Sequence, residues 1–236
     1  MFKNLFEEHK AERRQRILAA ARRLIARGGW ERLAMRDLAT EARVSVPTVY
    51  SLVGGKAQLL SALVEAQLSE VARALGTVPT GETVVERAAA LCEAGHRVLL
   101  DAPAYTRELV HLFLTSEDAR PVRRAMDERN LALMTALLAG GQAEGDLEPW
   151  IDPRVVARTL YSLFITNLIG WAMGELDDAG LEAATCLGNS LVLLGVARGR
   201  ARARLERYLR EQPKELAHVE PGHDPGRRRS RRPPRR

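Results

Sequence analysis

Hydrophobic positions recur with a helical period along most of the 236-residue chain. Near the N-terminus, Ile17, Leu24 and Ile25 are spaced to lie on one face of a helix. Val, Ile and Thr do not gather into the alternating runs that predict strands, and the abundant Ala, Leu, Arg and Glu favour helices. The pattern predicts an all-α fold, with helices near 8–27, 35–42, 46–52, 55–76, 82–101, 103–116, 119–143, 152–176 and 179–211.

Glycine, proline and aspartate mark several of the predicted helix ends. The pair Gly28–Gly29 ends the first helix, and the segment 77–81 (TVPTG) separates the fourth from the fifth. Pro103 suits the first turn of the sixth helix, where its missing N–H is not needed. Asp152 is a good N-cap for the eighth helix, with Pro153 at the first helical position.

Two short predicted helices, 35–42 and 46–52, are separated by the segment 43–45. A short helix, a tight turn and a second short helix form the helix-turn-helix pattern. Ser45 is a good N-cap for the second helix, and Pro47 suits its first turn. A helix of seven residues is not stable alone and must be held by its neighbours. Its N-terminal side chains are then free to enter a DNA major groove.

Polar side chains suited to DNA lie on this second helix and just after it. Thr48 can contact a thymine methyl or a base edge, and Tyr50 can stack on a sugar and donate to a phosphate. Gly54–Gly55 precede the fourth helix and leave its first backbone N–H groups accessible to an anion. Lys56 adds a full positive charge there, so the segment predicts a phosphate clamp.

The N-terminal quarter of the chain closely resembles the TetR family of bacterial regulators. The order and spacing of the motifs together carry the resemblance, because each motif alone is a weak signal. Beyond this quarter, the length and the number of helices fit the family's C-terminal domain without a further motif. The matching segments are Arg16–Ala21, Gly29, Met35–Ala39, Glu41–Tyr50, Lys56 and Leu59–Leu60.

The resemblance implies two helical domains and a set of DNA contacts. Residues 1–54 are expected to form a three-helix bundle with the helix-turn-helix, and 55–212 a larger ligand-binding and dimerisation domain. Arg36 is expected to touch the DNA backbone or a groove edge, and Lys56 to hold a phosphate. The expected recognition surface consists of Ser45, Val46, Pro47, Thr48 and Tyr50.

Each of these DNA contacts has a structural alternative. Tyr50 can instead anchor its helix in the core, and Lys56 can be a solvated surface lysine. Arg36 can form a surface ion pair with Glu41 or Asp37.

Three positions depart from the family pattern. Ala34 stands where the family usually has a Thr or Ser N-cap, a loss of about 1 kcal/mol of helix stability. Arg43 replaces a usual glycine, at a cost on the order of 1 kcal/mol if its backbone is left-handed. Val53 replaces a common aromatic and shrinks that packing site. None of the three removes a DNA-facing group.

The family further implies a homodimer that binds a palindromic operator and responds to a small apolar or amphipathic effector. The last two long predicted helices, 152–176 and 179–211, are expected to pair with a second copy as a four-helix bundle. The helix at 55–76 links the two domains and is the expected lever between them. The family leans towards repression, although the sequence alone leaves activation open.

Charge is unevenly distributed around the net +6. Residues 1–60 carry +6, residues 61–197 carry −9 and residues 198–236 carry +9. An acidic central segment between two basic ends indicates that nucleic acid is contacted locally and that the rest of the protein has a different function. It disfavours a binder that coats DNA without regard to sequence, which is one competing function.

Two further competing functions are an enzyme and a binding module that has lost its DNA contacts. The sequence contains no GxSxG, HExxH, P-loop or dinucleotide fingerprint, so catalysis is not expected. The retained Arg36, Thr48, Tyr50 and Lys56 disfavour the second function.

Aromatic, sulfur and polar side chains on the later helices are candidates for a ligand cavity, which is typically apolar with a few polar anchors. The same residues can instead form plain core or the dimer interface. His96 and His111 have no partner spacing that indicates a metal, and no cofactor is expected. The candidate ligand residues are His111, Phe113, Met134, Tyr161, Phe164, Asn167 and Trp171.

The two cysteines and the N-terminal segment bear on the compartment. Cys92 and Cys186 are too few for a disulfide framework, and small buried hydrophobes in a reducing cytosol are the expectation. A redox-sensing pair is the alternative. No apolar run reaches the roughly 18–20 residues of a bilayer-spanning helix, and no signal peptide is expected. We therefore expect a cytoplasmic protein without a membrane partner.

The end of the chain is strongly basic. Residues 213–236 lack an apolar pattern, and 227–236 contain seven arginines, so a disordered tail is expected. Its possible partners are phosphates beside the operator, the acidic body of the protein, or none.

Overall fold

The computed structural model describes residues 2–75, 81–115, 117 and 119–211. Within these residues the elements are helices and one isolated bridge between Leu147 and Ala197, which confirms the predicted all-α fold. The predicted tail 213–236 lies outside the described residues. The helices are α1 (Phe2–Gly28), α2 (Met35–Glu41), α3 (Val46–Val53), α4 (Lys56–Leu75), α5 (Val84–Leu99), α6 (Pro103–Thr115), α7 (Arg120–Ala143), α8 (Pro153–Ala172), α9 (Asp178–Leu194) and α10 (Gly199–Glu211).

Local signals fix several helix ends as the sequence predicts. Gly29, in the left-handed region at a φ of 75°, terminates α1. The Ser45 hydroxyl accepts the backbone N–H of Thr48 at 3.3 Å and so caps α3. α6 begins at Pro103, and the carboxylate of Asp152 caps α8. Each of these ends depends on residues that are close together in the sequence.

The prediction of one helix over 179–211 is wrong. α9 ends at Leu194 and α10 begins at Gly199, whose φ is 51°. The segment between them runs against the loop before α8, where the backbone N–H of Glu148 donates to the carbonyl of Val196 at 2.8 Å. A contact between segments that are distant in sequence thus divides the apolar stretch into two helices.

The eighth helix is also shorter than its predicted range of 152–176. Gly174 has a φ of 80°, and its N–H donates to the carbonyl of Trp171 at 3.1 Å. The N–H of Glu175 donates to the carbonyl of Gly170 at 2.8 Å. These two bonds form a Schellman turn, which ends α8 at Ala172.

An N-terminal core gathers side chains from α1 to α4 and from α6. Val49 of α3 is fully buried in it, and so are Leu59 and Leu63 of α4. Tyr105 of α6, 1% exposed, belongs to the same core. α4 therefore lies in the N-terminal core although it follows the predicted domain boundary, and the domain limits stay a prediction.

A second core joins α5, α7, α8, α9 and α10. Leu138 of α7, Leu160 of α8 and Leu205 of α10 are buried there. By length and composition, α8 is the one helix in the described part of the chain that is apolar enough to cross a membrane, with 39% of its apolar window buried. A core helix passes the same test, and the buried side of α8 packs in this core.

Candidate functional site

The turn between α2 and α3 has the geometry of a glycine turn although it contains an arginine. Arg43 has a φ of 55°, and its N–H donates to the carbonyl of Thr40 at 3.1 Å. The N–H of Val44 donates to the carbonyl of Ala39 at 3.0 Å, which completes a Schellman turn. The backbone at Arg43 is therefore left-handed, the condition under which the replacement of the usual glycine costs about 1 kcal/mol.

Buried small and branched side chains hold the two short helices together. Leu38 and Val49 are fully buried beneath the turn, and Ala42 is 5% exposed. Ala39, at 3% exposed, has no side chain beyond Cβ and lets the helices approach closely. α3 is thus supported on one side and outward-facing on the other.

The predicted recognition surface lies on the outward side of α3. Ser45 and Pro47 are exposed, Val46 and Thr48 are half-buried, and Tyr50 is 52% exposed. This exposure removes the alternative in which Tyr50 anchors its helix in the core of a single chain. DNA contact by these five residues stays a prediction.

The hydroxyls of Ser45 and Thr48 lie 2.7 Å apart. Because the Ser45 oxygen also accepts the Thr48 N–H, Ser45 is engaged in capping and orients the Thr48 side chain. Thr48 is therefore the better placed of the two to meet a base edge, whereas Ser45 fixes the helix N-terminus.

Lys56 is held against the loop that follows α1. Its Nζ lies 5.1 Å from the centre of the Trp30 ring and donates to the carbonyl of Glu31 at 3.4 Å. Lys56 is half-buried, so it is not the freely solvated lysine of the alternative reading. The arrangement presents a fixed positive charge at the N-terminus of α4.

The backbone donors at the start of α4 differ in part from the sequence expectation. The N–H of Gly55 is not accessible to an anion, because it donates to Oε1 of Gln58 at 3.0 Å. The N–H groups of Lys56, Ala57 and Gln58 have no acceptor among the described residues. These three, rather than the glycine donor, can bind a phosphate.

Arg36 is exposed on α2, and its side chain has no hydrogen bond or ion pair within the described residues. Its alternative partner Glu41 pairs instead with Arg23 at 2.8 Å and with Arg27 at 3.2 Å. The hydrogen bond from Arg23 lowers the pKa of the Glu41 carboxyl. Arg36 thus remains available to an external anion.

We call α1–α3 the reader and α5–α10 the body; α4 connects them. The guanidinium of Arg22 on α1 donates to both carboxylate oxygens of Glu70 on α4, and these bonds raise the pKa of Arg22. The backbone N–H of Trp30 donates to Glu108 on α6 at 2.9 Å. α6 therefore holds the reader together with α4, a contact that the helical periodicity of the sequence does not reveal.

A ring from the body also lies beneath the reader. The guanidinium of Arg22 is 5.0 Å from the centre of the Tyr105 ring, whose burial raises the pKa of its hydroxyl to about 12. Tyr105 is neutral at physiological pH and acts here as a packing surface for the cation.

The body contains a cavity of about 470 Å³ between α5, α7, α8, α9 and α10. Leucines and alanines are the most frequent residues on its wall, and four of the leucines, Leu138, Leu160, Leu193 and Leu205, are buried. Met134 is the one predicted ligand residue that lines it. Cys92 and Cys186 also line it and are not joined by a disulfide. The sequence pattern does not single out Asn189, which lies on the wall between α5 and α9.

Three of the predicted ligand residues have polar groups that are already bonded within the protein. The Tyr161 hydroxyl donates to the carboxylate of Asp127, and burial raises its pKa. The indole N–H of Trp171 donates to Asp178 at 2.8 Å. The amide of Asn167 donates to a threonine hydroxyl of α9 at 3.4 Å.

The other predicted ligand residues lie apart from one another. His111 is exposed on α6, Phe113 belongs to the N-terminal core, and Phe164 packs against a small core around Trp171. The structure therefore does not bring the seven residues together, and ligand binding by them stays a prediction.

One side of α8 is exposed along the whole helix. Five exposed positions on this side and the C-cap residue Met173 repeat at intervals of four and three residues, the spacing of a coiled-coil seam. On α9, Leu191 is 55% exposed, and Leu187 and Leu194 are half-buried. We call this surface the α8–α9 face. It comprises Val155, Thr159, Ser162, Thr166, Ile169 and Met173 together with Leu187, Leu191 and Leu194.

The chain is similar to known bacterial regulators in sequence. Residues 17–63 match the model of the family described as bacterial regulatory proteins, tetR family. The HTH-type transcriptional repressor KstR of Rhodococcus jostii is 29% identical over 168 residues, which are 71% of this chain and 76% of that protein. KstR of Mycobacterium tuberculosis is 26% identical over 168 residues, covering 71% of this chain and 74% of that protein.

Solved structures show the same fold. SmeT, the repressor of the Stenotrophomonas maltophilia multidrug efflux pump SmeDEF, superposes with a TM-score of 0.66 at 22% identity. The superposition covers 80% of this chain and 92% of that chain.

Proposed function

We propose that this chain, a member of the TetR family of bacterial transcriptional regulators, is a homodimeric repressor. It leaves a palindromic operator when a small apolar or amphipathic ligand binds its body. The observation that carries the proposal is the exposed α3 on its buried support. Val49 and Val53 fix one side of α3 in the core, while Tyr50 projects from the other. Helix-turn-helix proteins read the major groove with a helix held in this way.

The proposed contacts divide into base reading and phosphate binding. Thr48 meets a base edge or a thymine methyl, and Tyr50 reaches the sugar-phosphate backbone. Arg36 and Lys56 bind phosphates on either side, since both present positive charge next to α3. Phosphate contacts set the position of the reader on the duplex, and Thr48 contributes to the choice of sequence.

The α8–α9 face is proposed to bind a second copy of the chain. Val155, Ile169, Met173 and Leu191 are more than a third exposed in one chain, and covering them removes apolar surface from water. Two helices from each copy form a four-helix bundle. The twofold axis then places two α3 helices roughly 34–36 Å apart or more, facing the halves of a palindrome.

Repression and ligand response complete the proposal. The named KstR relatives are repressors, which supports repression here over activation. A ligand that favours a different spacing of the body helices lowers operator affinity by shifting the population between two states. The protein acts in the cytoplasm on DNA, and the proposal assigns it no catalytic activity.

Selection from a random pool of DNA tests the function directly. We expect a palindromic consensus, bound more tightly than random DNA at the same salt concentration. A double variant, Thr48→Ala with Tyr50→Phe, is expected to lose at least about tenfold of operator affinity with little change in thermal stability. Thr115→Ala, at an exposed position of α6, is the control and should bind as the wild type does. Unchanged operator affinity in the double variant would sink the assignment of α3.

Sedimentation at micromolar concentration tests the dimer. Ile169→Asp places a charge in the α8–α9 face and is expected to yield folded monomers. Leu133→Asp, at a 44% exposed position of α7, introduces the same charge elsewhere and should leave the dimer intact. A folded monomer of the wild type would contradict both the interface and the palindrome.

A further inference from the structure

The cavity in the body has the size of a small-molecule site and a mostly apolar wall. Its volume of about 470 Å³ falls within the range of about 300–1,000 Å³ that is usual for such sites. Leu138, Leu160 and Leu193 line it and are themselves buried. Two other lining residues, Ala89 and Glu93, are exposed, so the cavity is accessible to a ligand from solvent.

One polar group on the wall lacks a partner. The amide nitrogen of Asn189 donates to the sulfur of Cys92 at 3.1 Å. Its amide oxygen, Oδ1, is buried and accepts no hydrogen bond from the described residues. A buried acceptor without a donor is costly, and a hydroxyl or N–H group of a ligand supplies the missing donor.

The interior of the cavity carries no charge that would attract an ion. Burial raises the pKa of the Cys92 thiol to about 12, so the group is neutral at physiological pH. The charged side chains on the lining are Glu86, Glu93 and Arg204. Arg204 pairs with Glu86 at 2.8 Å, and Glu93 is exposed to solvent. A charged ligand group would lose its hydration inside without gaining a partner.

We propose that this cavity binds a neutral, largely apolar ligand that donates one hydrogen bond, from a hydroxyl group, to Oδ1 of Asn189. The inference rests on the proposed function, because the ligand is the effector that the repressor senses. The proposed ligand site thus lies between the facing surfaces of α5 and α9, and not at the residues around Trp171 that the sequence suggests.

The position of the cavity connects it to the reader through α5. Cys92 of α5 lies on the cavity wall, and the carbonyl of Val98 on the same helix accepts the amide N–H of Gln67 on α4 at 3.3 Å. Gln67 also accepts from Arg22 of the reader at 2.8 Å. A ligand that displaces α5 therefore acts on a hydrogen-bonded path to α1.

Calorimetric titration of the full chain with two isomers tests the ligand class. The probes are 1-nonanol, which has a hydroxyl donor, and 1-methoxyoctane, which has the same atoms and no donor. We expect 1-nonanol to bind about five- to tenfold more tightly, the effect of one hydrogen bond, and the nonanoate anion to bind more weakly than 1-nonanol. Equal binding of the isomers, tighter binding of the anion, or no binding of either isomer would overturn the proposal.

Two asparagine variants locate the hydrogen bond. Asn189→Leu is expected to abolish the discrimination between the isomers, and Asn189→Ala serves if the leucine variant does not fold. Asn130→Leu, at a half-buried amide of α7 outside the cavity lining, is the matched control and should keep the discrimination. Discrimination that persists without the Asn189 amide, or that is lost in the Asn130 variant, overturns the assignment.

A separate measurement distinguishes this inference from the function on which it rests. Operator binding is titrated with and without 1-nonanol at saturating concentration. Release of the operator by 1-nonanol supports both the ligand class of the cavity and the effector role in the proposed function. Discrimination in the calorimeter without any effect on operator binding supports the ligand class and contradicts the effector role in the proposed function.

Discussion

Arg22 of α1 and Glu70 of α4 form a two-pronged ion pair. Nη1 of Arg22 lies 2.8 Å from one carboxylate oxygen, and Nη2 lies 3.0 Å from the other. Both side chains are about one third exposed. A forked pair of this kind is stronger than a single contact and fixes direction as well as distance. It sets the angle at which the reader leaves α4.

Replacing Glu70 with glutamine is expected to weaken this junction. Glu70→Gln keeps the shape of the side chain but removes the charge, so the free energy of unfolding should fall by about 1 kcal/mol. Urea unfolding measures the change. Glu117→Gln is the control, since Glu117 pairs with Arg120 at 85% exposure and such pairs contribute little. Equal losses of unfolding free energy in the two variants would mean that the two-pronged ion pair between Arg22 and Glu70 contributes no extra stability.

The missing cap of α2 offers a stabilising substitution. Ala34 has the extended backbone of an N-cap, with φ −102° and ψ 140°, and no side-chain cap bond. Ala34→Ser adds an oxygen for the N–H of Asp37 and is expected to raise the free energy of unfolding by about 1 kcal/mol. Ala26→Ser, at an exposed position inside α1, should bring no gain. A serine at 34 that leaves urea unfolding unchanged would contradict the cap.

The parts of the fold that the sequence predicts are those fixed by neighbours in the chain. The Ser45 cap, the Gly29 terminus and the Asp152 cap each depend on a few adjacent residues. The break between α9 and α10 depends on Val196 meeting Glu148, about fifty residues away, which helical periodicity cannot register.

The candidate sites divide in the same way. Tyr50 is exposed because Val49 is turned inward beside it, a relation set by the period of one helix. Met134 and Trp171 have equally apolar surroundings in the sequence. Met134 nevertheless lines the cavity, whereas Trp171 is fully buried in the core. Which apolar side chains face an opening depends on how helices assemble, and no local pattern records that.

Because His96 is buried, the free energy of unfolding is expected to fall in mild acid. It is 3% exposed on α5, its Nε2 has no hydrogen bond within the described residues, and burial lowers its pKa from the usual 6.5 despite the nearby charge of Glu93. Below pH 6.5 the unfolded chain therefore binds more protons at this site than the folded chain. Stability is complete above that pH and falls as the pH drops towards the folded-state pKa.

Urea unfolding between pH 7.5 and 5.5 measures this dependence. The wild type should lose at most about 1.4 kcal/mol per pH unit from this one proton, and His96→Leu should lose less. His111→Gln, at an exposed histidine of α6, is expected to follow the wild type. A His96→Leu profile parallel to that of the wild type would contradict the burial argument.

Replacing Arg43 with glycine is expected to stabilise the fold and to weaken DNA binding. Arg43→Gly removes the strain of a left-handed arginine, at a φ of 55°, and should stabilise the fold by up to about 1 kcal/mol, part of which the freer unfolded chain offsets. The same change removes an exposed charge beside α3. If Arg43 neutralises one phosphate, the log–log salt dependence of operator binding should become shallower by about 0.9 units.

Urea unfolding and a salt titration on operator and random DNA measure the two effects. Arg43→Lys keeps both the charge and the left-handed cost, so it should match the wild type in both experiments. Base preference should not change in either variant, because phosphate contacts carry no sequence information. A glycine variant with the wild-type salt slope would leave Arg43 without a phosphate contact, and a shifted consensus would indicate that its guanidinium reads a base instead.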